Sequence, residues 1–448
     1  METAALLKKY NVAAPRYTSY PTVPYWENEN FDTDKWKGAV RTIYALHLNE
    51  GISLYIHLPF CESLCTYCGC NTRITKNHAV ELPYIKAVLT EWKMYLKLLG
   101  DRPKIKELHL GGGTPTFFQP ENLHLLIEGI LDYAVLTPES SLSFEAHPAN
   151  TTFAHLETLY RLGFKRLSFG IQDFDPKVQL MINRFQTPQQ VLMVTEQARA
   201  IGFNSINFDL IYGLPCQTNN GLSSTIEEVI QMRPDRIAFY SYAHVPWIKP
   251  GQRHYTEKDL PVGDAKFALY QTGKKLLQDA GYEDVGMDHF ALNTDSLFIA
   301  RKEQQLHRNF MGYTDQHTHL LLGLGVSSIS DGWNAFAQNP KTVEAYLERV
   351  NNGILPVEKG HLLSKKDLVI RQHILNIMCK ETTTYADGIP DNVYERLSQL
   401  IEDGLVQITG NEISVTPNGK SFLRNICMAF DEKLWAKQSA TKIFSAAI

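Results

Sequence analysis

The 448-residue sequence has little that points to a membrane, to export or to nucleic acid. Its longest apolar stretches, such as HLLLGLGVSSI, fall short of the roughly 20 residues that a membrane-spanning helix needs. The first residues, METAALLKKYNVAAPRYTSYP, lack the apolar core of a signal peptide. The formal net charge is only −4, which is not typical of a surface that binds nucleic acid or membrane. We therefore expect a cytoplasmic protein with no nucleic-acid or membrane partner.

The sequence also lacks internal repeats, low-complexity tracts and an obvious apolar interface stripe. The missing stripe and the balanced charge predict a monomer. Cysteine is scarce as well, with seven in the chain. An odd number of cysteines in a long chain without an export signal argues against a disulfide framework and favours a metal or redox site.

Apolar residues recur with a period of two in six segments, which we interpret as β-strands. These segments are ISLYIHLP, IKELHLGGGTP, SLSFEAHP, FKRLSFGIQDF, SINFDLIYGLP and RIAFYSYAHVP. Segments with helical spacing separate them, for example residues 79–99 and TPQQVLMVTEQARAIG, in which threonine is the predicted N-cap. The alternation predicts an α/β fold with parallel strands.

The strands could form a partial barrel or a doubly wound sheet. The ends of the predicted strands bear polar or small residues: the cysteine cluster, Gly111–Gly113, Glu145, Gln172, Asp209 and Tyr242–His244. In barrels the active site lies at the carboxyl ends of the strands, whereas a doubly wound sheet concentrates its site near one switch point. We therefore predict a partial (β/α)6 TIM-like barrel.

The pattern divides the chain into three parts. Residues 1–50 are irregular and are predicted to pack on the active site, and residues 51–335 form the catalytic barrel. Residues 336–448 are predicted to be mainly helical and winged-helix-like, with the helix DLVIRQHILNIMCK and a hairpin that turns at Gly410–Asn411. Basic and acidic residues are equally numerous after residue 340, so DNA binding is not favoured there.

Four of the cysteines, Cys61, Cys65, Cys68 and Cys70, lie in the segment FCESLCTYCGC. A structural zinc site is the simplest alternative, but it usually needs two separated pairs of ligands, and the second pair is missing. Closely spaced thiolates are typical of iron–sulfur clusters. Three thiolates would hold three corners of a 4Fe–4S cluster and leave one iron open. The single residue between Cys68 and Cys70 makes Cys70 a poor fourth ligand, although that alternative stays open.

This C-x3-C-x-Y-C spacing after a strand resembles the motif of the radical S-adenosylmethionine (SAM) enzymes. Further segments resemble the oxygen-independent coproporphyrinogen III oxidase family: PRYTSYPT, YIHLPFC, LHLGGGTPT, GIQDF, NFDLIYGLP, GMDHFA, LHRNFMGYT and RNICM. They occur in order from residue 15 to about residue 430, so the resemblance covers nearly the whole chain.

The resemblance implies that the propionates on rings A and B of coproporphyrinogen III are oxidatively decarboxylated to vinyl groups, giving protoporphyrinogen IX. It also implies a 4Fe–4S cluster, two SAM molecules, an electron donor such as a flavodoxin or ferredoxin, and an electron acceptor of unknown identity. The alternative is a related haem chaperone that keeps the cluster but lacks decarboxylase activity. The segments CGC and PRYTSYPT favour the enzyme.

The resemblance further implies the site residues. Cys61, Cys65 and Cys68 are the expected cluster ligands. The expected SAM contacts are Tyr55, Tyr67, Gly112, Gly113, Thr114, Glu145, Gln172, Arg184, Asp209, Ala243 and Ile329, of which Tyr55, Glu145 and Gln172 are the predicted catalytic residues. Tyr17 and Tyr20 are second-tier candidates.

Each of these residues has a simpler alternative role. The glycines at Gly111–Gly113 could form only a turn. Glu145 and Asp209 could be helix N-caps, and Arg184 could be a solvated surface charge. His57 is interpreted as a packed strand residue.

Three positions depart from the family pattern. His147 and Ala149 in EAHPAN stand where an acid and an arginine are expected, and Leu292 follows GMDHFA where an arginine is expected. Because the substrate has four carboxylates, other basic residues must bind them. The candidates are Arg16, Arg73, Lys76 and Arg308.

Overall fold

The computed structural model describes residues 3–436 and residue 444. The strands are β1 (Ile52–Leu58), β2 (Phe60–Cys61), β3 (Arg73–Ile74), β4 (Lys104–Gly112), β5 (Val135–Ala146), β6 (Arg166–Gln172), β7 (Ser205–Tyr212), β8 (Arg236–Ser241), β9 (Glu283–Gly286), β10 (His289–Ala291), β11 (His307–Asn309), β12 (Gly312–Thr314), β13 (Leu321–Leu324), β14 (Ile329–Asp331), β15 (Ala335–Gln338), β16 (Lys359–Leu362), β17 (Thr382–Thr384), β18 (Val406–Thr409) and β19 (Glu412–Val415). The helices are α1 (Thr3–Tyr10), α2 (Thr33–Leu46), α3 (Glu81–Leu99), α4 (Pro120–Leu131), α5 (Phe153–Arg161), α6 (Pro176–Ile182), α7 (Pro188–Ile201), α8 (Asn219–Met232), α9 (Asp264–Asp279), α10 (Ser296–Lys302), α11 (Val343–Asn351), α12 (Lys365–Lys380), α13 (Asp391–Glu402), α14 (Leu423–Met428) and α15 (Glu432–Ala436).

The main sheet is parallel at its centre. Strands β13, β1, β4, β5, β6, β7 and β8 are neighbours in that order and run in one direction. Antiparallel strands extend both edges, β14 to β16 beside β13 and then β10 and β9 beside β8. The predicted strands are β1 and β4 to β8, and the α/β partial-barrel prediction is confirmed. The sequence pattern does not reveal β13, because its continuous apolar run suits a helix or a strand equally.

The two faces of each parallel strand have different roles, as the side-chain alternation of strands requires. In β4, Leu108 and Leu110 belong to the main apolar core, which lies between the sheet and its covering helices. The intervening Glu107 and His109 line the interior of the barrel instead. The chain therefore has a polar surface inside the barrel and an apolar one outside.

The helices between the strands follow the local signals of the sequence. Helix α7 begins after Thr187, whose hydroxyl accepts the Gln190 N–H, and it ends at Gly202 with φ of 119°. Glycine is favoured there because the left-handed conformation has no Cβ penalty. Within residues 3–436, no helix is long and apolar enough to cross a membrane.

A second apolar core joins the two ends of the described chain. It contains residues of α12, α13 and α14 together with Leu6, Tyr17 and Tyr20 from the N-terminal segment. The Tyr17 hydroxyl donates to Asp431 at 3.1 Å. Tyr17 and Tyr20 are therefore buried against the C-terminal part of the chain.

The C-terminal part has the predicted outline. Helices α12 and α13 accompany a three-stranded antiparallel sheet of β17, β19 and β18, whose hairpin turns at Gly410–Asn411. The domain limits at residues 50 and 335 stay predictions. The main sheet continues past residue 335 through β15 and β16.

A buried carboxyl group in α3 links several loops at the edge of the barrel. Glu91 is fully buried and accepts hydrogen bonds from the Gly325 N–H at 2.8 Å, the Asn339 amide at 2.7 Å and the Tyr346 hydroxyl at 2.7 Å. Burial raises the pKa of Glu91 from 4.5 to about 7, although the three hydrogen bonds oppose this shift. The Glu91 carboxyl group thus connects α3 to the segment after β13, to the segment after β15 and to α11.

We expect Glu91→Gln to reduce the pH dependence of the unfolding free energy. Because the pKa is higher in the folded state, the folded chain binds this proton more tightly. The resulting stabilisation is full below about pH 4.5 and is lost as the pH rises toward 7, at roughly 1.4 kcal/mol for each pKa unit. Urea unfolding at about pH 5 and about pH 7.5 should give a smaller difference for Glu91→Gln than for the wild type. The exposed Glu227→Gln is the control, and an unchanged difference in Glu91→Gln would contradict the assignment.

Candidate active site

A cleft of about 460 Å³ lies at the carboxyl ends of the parallel strands. Its wall contains most of the predicted site residues: Cys61, Cys65, Tyr67, Cys68, Gly112, Gly113, Thr114, Glu145, Gln172, Arg184 and Asp209. They come from the loop after β1, from the ends of β4 to β7 and from the segment after α6. Parallel strands end at one rim, and this brings side chains from distant positions together.

The loop that bears the cysteines is held against α6. The Thr66 hydroxyl donates to the Met181 carbonyl at 2.9 Å, and the Asn183 amide donates to the Leu64 carbonyl at 2.8 Å. Asn183 caps α6 in the left-handed conformation, which asparagine tolerates better than most residues. The loop therefore has a defined shape against the rest of the cleft.

The three predicted cluster ligands are free thiols in this cleft. Cys61 Sγ lies 3.3 Å from Thr114 Oγ1, and Arg184 Nη1 donates to Cys65 Sγ at 3.7 Å. Burial raises the pKa of Cys61 to about 11, and burial also raises the pKa of Cys65. A buried thiol loses its proton when a metal binds it, because the positive charge of the metal stabilises the thiolate that burial would otherwise disfavour.

Cys68 and Cys70 form a donor–acceptor pair. The Cys70 N–H donates to Cys68 Sγ at 3.4 Å. The hydrogen bond from the Cys70 thiol lowers the pKa of Cys68 to about 6, and the same contact raises the pKa of Cys70 well above its ordinary value. The contact therefore favours the thiolate of Cys68 over that of Cys70, and the role of Cys70 at the cluster stays a prediction.

Two glycines allow the end of β4 to approach the cysteine loop. Gly112 has φ of 115°, and a Cβ there would lie 2.7 Å from the ring of His57. A Cβ on Gly113 would lie 2.7 Å from the Pro59 carbonyl oxygen. The Gly112 N–H donates to Glu145 at 3.1 Å. The glycines thus allow a close backbone contact and do more than form a turn.

Two carboxyl groups in the cleft have different acidities. Burial would raise the pKa of Glu145, but His109 at 3.5 Å and the Gly112 N–H lower it below its usual range. Burial and the nearby charge of Glu145 raise the pKa of Asp209 to about 6. Asp209 accepts hydrogen bonds from Ser168 at 3.1 Å and Asn207 at 2.8 Å. Neither acid is the N-cap of a helix, so both side chains are available to the cleft.

Arg184 and Gln172 have buried polar atoms without partners in the described residues. Arg184 donates to the Gly170 carbonyl, yet its Nε has no acceptor, and Gln172 Oε1 has no donor. Arg184 is 8% exposed, so the surface-charge alternative is wrong. A buried donor or acceptor without a partner is unfavourable, which indicates that a ligand completes this side of the cleft.

Three predicted SAM contacts lie outside the cleft wall. Tyr55 is behind Gly111, and its hydroxyl lies 3.0 Å from His57 Nδ1. Ile329 belongs to β14 and packs over Gly323, which is opposite Tyr55 in the sheet. The Ala243 carbonyl accepts a hydrogen bond from Gln252 at 3.2 Å. Their roles at the site stay predictions.

The departures from the family pattern differ in position. His147 lines the cleft, and burial followed by the charge of Arg184 lowers its pKa to about 2, so its ring is neutral. Its Nδ1 accepts the Ala149 N–H at 3.1 Å. Leu292 is buried in the main apolar core. None of these three positions supplies a cation to the cleft.

Several residues at the site were missed in the sequence. They are His109, Ser168, Asn207, Tyr240 and Gln252. The first four lie on strands β4, β6, β7 and β8, with side chains on the inward face. Because side chains alternate between the two faces of a strand, this alternation could have identified them from the sequence. Gln252 gave no such signal. Its amide donates to both the Tyr67 and the Ala243 carbonyls at 3.2 Å, and it thereby links the cysteine loop to the loop after β8.

Comparisons with known proteins agree with this geometry. A model of the radical SAM superfamily matches residues 55–229. The oxygen-independent coproporphyrinogen III oxidases of Synechocystis sp. and Escherichia coli are 38% and 36% identical to this chain; the matches cover 98% and 96% of those proteins and 100% and 97% of this chain. The solved structure of Escherichia coli coproporphyrinogen III oxidase, described as a radical SAM enzyme, has a TM-score of 0.89 and 35% identity, covering 96% of this chain and 98% of that chain.

The radical SAM superfamily implies a 4Fe–4S cluster and SAM. The cleft fits both groups. Three thiols on one loop are a suitable donor set for an iron–sulfur cluster. The unpartnered Arg184 Nε and Gln172 Oε1 are a donor and an acceptor of the kinds that an amino-acid ligand requires.

We expect Gly113→Ala to prevent normal cluster assembly. The new Cβ would lie 2.7 Å from the Pro59 carbonyl oxygen and 2.9 Å from that of Phe60, so the backbone beside Cys61 must move. Such overpacking usually costs about 1–3 kcal/mol. Iron and sulfide content after anaerobic reconstitution should fall to less than about half of the wild-type content. Gly69→Ala in the same loop is the control, since no atom lies within 4 Å of its Cβ position. Equal iron content in both variants would contradict this role of Gly113.

Proposed function

Because the chain belongs to the oxygen-independent coproporphyrinogen III oxidase family of radical SAM enzymes, we propose that its cysteine-lined cleft converts coproporphyrinogen III to protoporphyrinogen IX. The chain is an oxidoreductase that oxidatively decarboxylates the substrate propionates on rings A and B. The observation that supports this most strongly is the similarity to named oxidases over the whole chain, together with three free thiols at the rim of the barrel.

Cys61, Cys65 and Cys68 would bind the 4Fe–4S cluster, and Cys70 would remain a thiol. Three protein ligands would leave one iron open to SAM. When bound, the cluster and SAM would supply the one-electron chemistry that removes a hydrogen atom from an unactivated propionate CH2. Acid–base catalysis by side chains does not break such a C–H bond, so the protein contributes binding, orientation and electrostatics.

The electron count defines the partners. For each propionate, one hydrogen atom leaves the CH2 group next to the ring, the bond to the carboxylate breaks, CO2 departs and one further electron is released. The vinyl double bond forms from the remaining electrons. The enzyme therefore needs a donor such as a flavodoxin or ferredoxin to reduce the cluster, and an acceptor for the released electron.

We propose that it acts as a monomer.

The cleft residues suit two SAM molecules. Arg184 can donate to a carboxylate through its free Nε, and Gln172 Oε1 can accept from an ammonium or hydroxyl group. Glu145 and Asp209 are acceptors for an ammonium group or ribose hydroxyls, and Tyr67 offers an aromatic face beside the thiols. Gly112, Gly113 and Thr114 allow a close approach of backbone to ligand. Tyr55, Ala243 and Ile329 complete the proposed set of contacts from behind this wall.

The proposed activity is tested by an anaerobic assay with reconstituted enzyme, reductant, SAM and coproporphyrinogen III. Wild-type enzyme should form protoporphyrinogen IX and 5′-deoxyadenosine together. Cys65→Ala should abolish formation of both products, because a cluster ligand is lost, whereas Cys70→Ala should retain the cluster and measurable turnover.

The matched cysteine variants make the assay decisive. Deoxyadenosine without the porphyrin product would mean that the substrate is a different one. Tight stoichiometric haem binding without turnover would support the chaperone alternative, and loss of iron in Cys70→Ala would identify Cys70 as a ligand.

We expect SAM binding to strengthen as the pH rises through about 6. Asp209 is protonated below its raised pKa of about 6 and then accepts hydrogen bonds less well. Asp209→Asn should bind SAM more weakly at neutral pH and lose this pH dependence. Equilibrium binding of SAM to the cluster-loaded, unreduced protein measures both effects. The exposed Asp132→Asn is the control, and a pH dependence that persists in Asp209→Asn would contradict a contact with Asp209.

A further inference from the structure

Three cations from distant parts of the chain meet beside the active-site cleft. They are Arg16 in the N-terminal segment after α1, Lys266 in α9 and Arg424 in α14. We call these three residues the basic cluster. Arg16 lies 3.7 Å from Asp288 and donates to the Ser241 carbonyl at 3.0 Å. Lys266 Nζ donates to the Tyr242 carbonyl at 3.1 Å, and Arg424 donates to the Pro15 carbonyl at 3.0 Å.

The basic cluster adjoins the cleft through one aromatic ring. The Arg16 guanidinium lies 5.9 Å from the ring centroid of Tyr240. Tyr240 in turn lines the cleft that contains the cysteines. A ligand that occupies the cleft next to Tyr240 therefore lies near Arg16 of the basic cluster.

A second cavity, of about 310 Å³, reaches Lys266 directly. Its walls include Lys266, Tyr212, Phe267 and Tyr270, with Lys8 from the N-terminal segment and one acid, Asp264. The lysine stem packs on Gly213, where a Cβ would lie 2.8 Å from Lys266 Cε. The Lys266 side chain is thus positioned by close packing in a cavity that has aromatic walls, two lysines and one aspartate.

The electrostatics of the basic cluster favour an added anion. Burial, and then the charges of Arg16 and Arg424, lower the pKa of Lys266 to about 8. Asp288 opposes this shift and is the acid that faces both Lys266 and Arg424. Cations that repel one another in a poorly solvated site are stabilised when a carboxylate binds between them.

The proposed substrate supplies such carboxylates. It has four propionates, of which two react at the radical site in separate steps and two are retained in the product. His147 in the cleft is neutral, and Ala149 and Leu292 stand where basic residues are expected. Lys76 and Arg184 line the cleft, but Arg184 contacts Cys65 and the Gly170 carbonyl on the cysteine side. The two retained propionates therefore need cations in addition to Lys76.

We propose that Arg16 and Lys266, supported by Arg424, form the subsite that binds the propionates retained in the product. This inference rests on the proposed function. It makes these residues positioning residues, which orient the porphyrinogen so that the other two propionates face the cofactor side of the cleft.

The test measures binding of three porphyrins to cluster-loaded protein without reductant. Coproporphyrin III has all four propionates, protoporphyrin IX has only the two retained ones, and coproporphyrin III tetramethyl ester has no carboxylates. Lys266→Met should weaken binding of both acids by about 10- to 100-fold, which corresponds to the loss of one charged hydrogen bond. Binding of the ester should not change.

Matched variants separate charge from packing. Lys266→Arg should bind both acids within a few-fold of wild type, because the positive charge is kept. Lys275→Met on the exposed face of α9 should match wild type in binding and turnover, since its side chain is 75% exposed. Arg16→Gln should weaken binding of both acids in the same way as Lys266→Met. Iron content and circular dichroism verify that each variant is folded.

Every outcome bears on the subsite. Equal weakening for both acids supports it. Unchanged binding of the acids overturns it, as does equal weakening for the ester, which would indicate a packing effect. Weakening for coproporphyrin III alone would mean that the cluster binds the reacting propionates, which also overturns the proposal. If wild-type enzyme does not convert coproporphyrinogen III, the proposed function fails; if it does convert it and Lys266→Met binds normally, the subsite alone fails.

Discussion

The parallel pairing of β1 with β4, and of β4 through β8 in sequence, is the constraint on which the site depends. It brings the carboxyl ends of all these strands to one rim, although the residues there are far apart along the chain. The register also sets which side chains are neighbours inside the barrel. Tyr55 is level with His109, and Glu145 is level with Ser168. Without that register, the thiols of the cysteine loop would not share a cleft with Glu145 and Asp209.

The interior of the barrel is polar, and its polar groups differ in how well they are satisfied. Toward the amino ends of the strands, Arg236 pairs with Asp295 at 2.6 Å and Arg166 pairs with Asp315 at 3.2 Å. Buried charges are tolerated when they are paired and hydrogen-bonded, so this layer is structural. At the rim, Arg184 Nε and Gln172 Oε1 have no partners among the described residues. Two unpartnered polar atoms therefore lie where a ligand is proposed, and other buried atoms, such as His289 Nδ1 and Arg308 Nε, also lack a partner among the described residues.

The segments outside the barrel place charged groups near the cleft. The N-terminal segment and the C-terminal helices share an apolar core, which fixes them to each other. Arg16 extends from that segment to Tyr240, and Arg424 donates to the backbone beside Arg16. The second core therefore brings charges toward the barrel rim that the strands do not provide.

The sequence by itself determined the strands β1 and β4 to β8, the capped helices, the α/β class and the thiol motif. These depend on side-chain periodicity, capping chemistry and spacing over a few residues, and such signals are local. Only the tertiary structure decided that Arg184 contacts Cys65, that the charge of Glu145 helps to raise the pKa of Asp209, that Gln252 links two loops, and that β13 joins the sheet beside β1. It also decided that Lys266 lies with Arg16 and that Leu292 is buried in the core. The physical reason is that pKa values, unpartnered polar atoms and charge clusters depend on neighbours in space, and those neighbours are set by packing between segments that are distant in the chain.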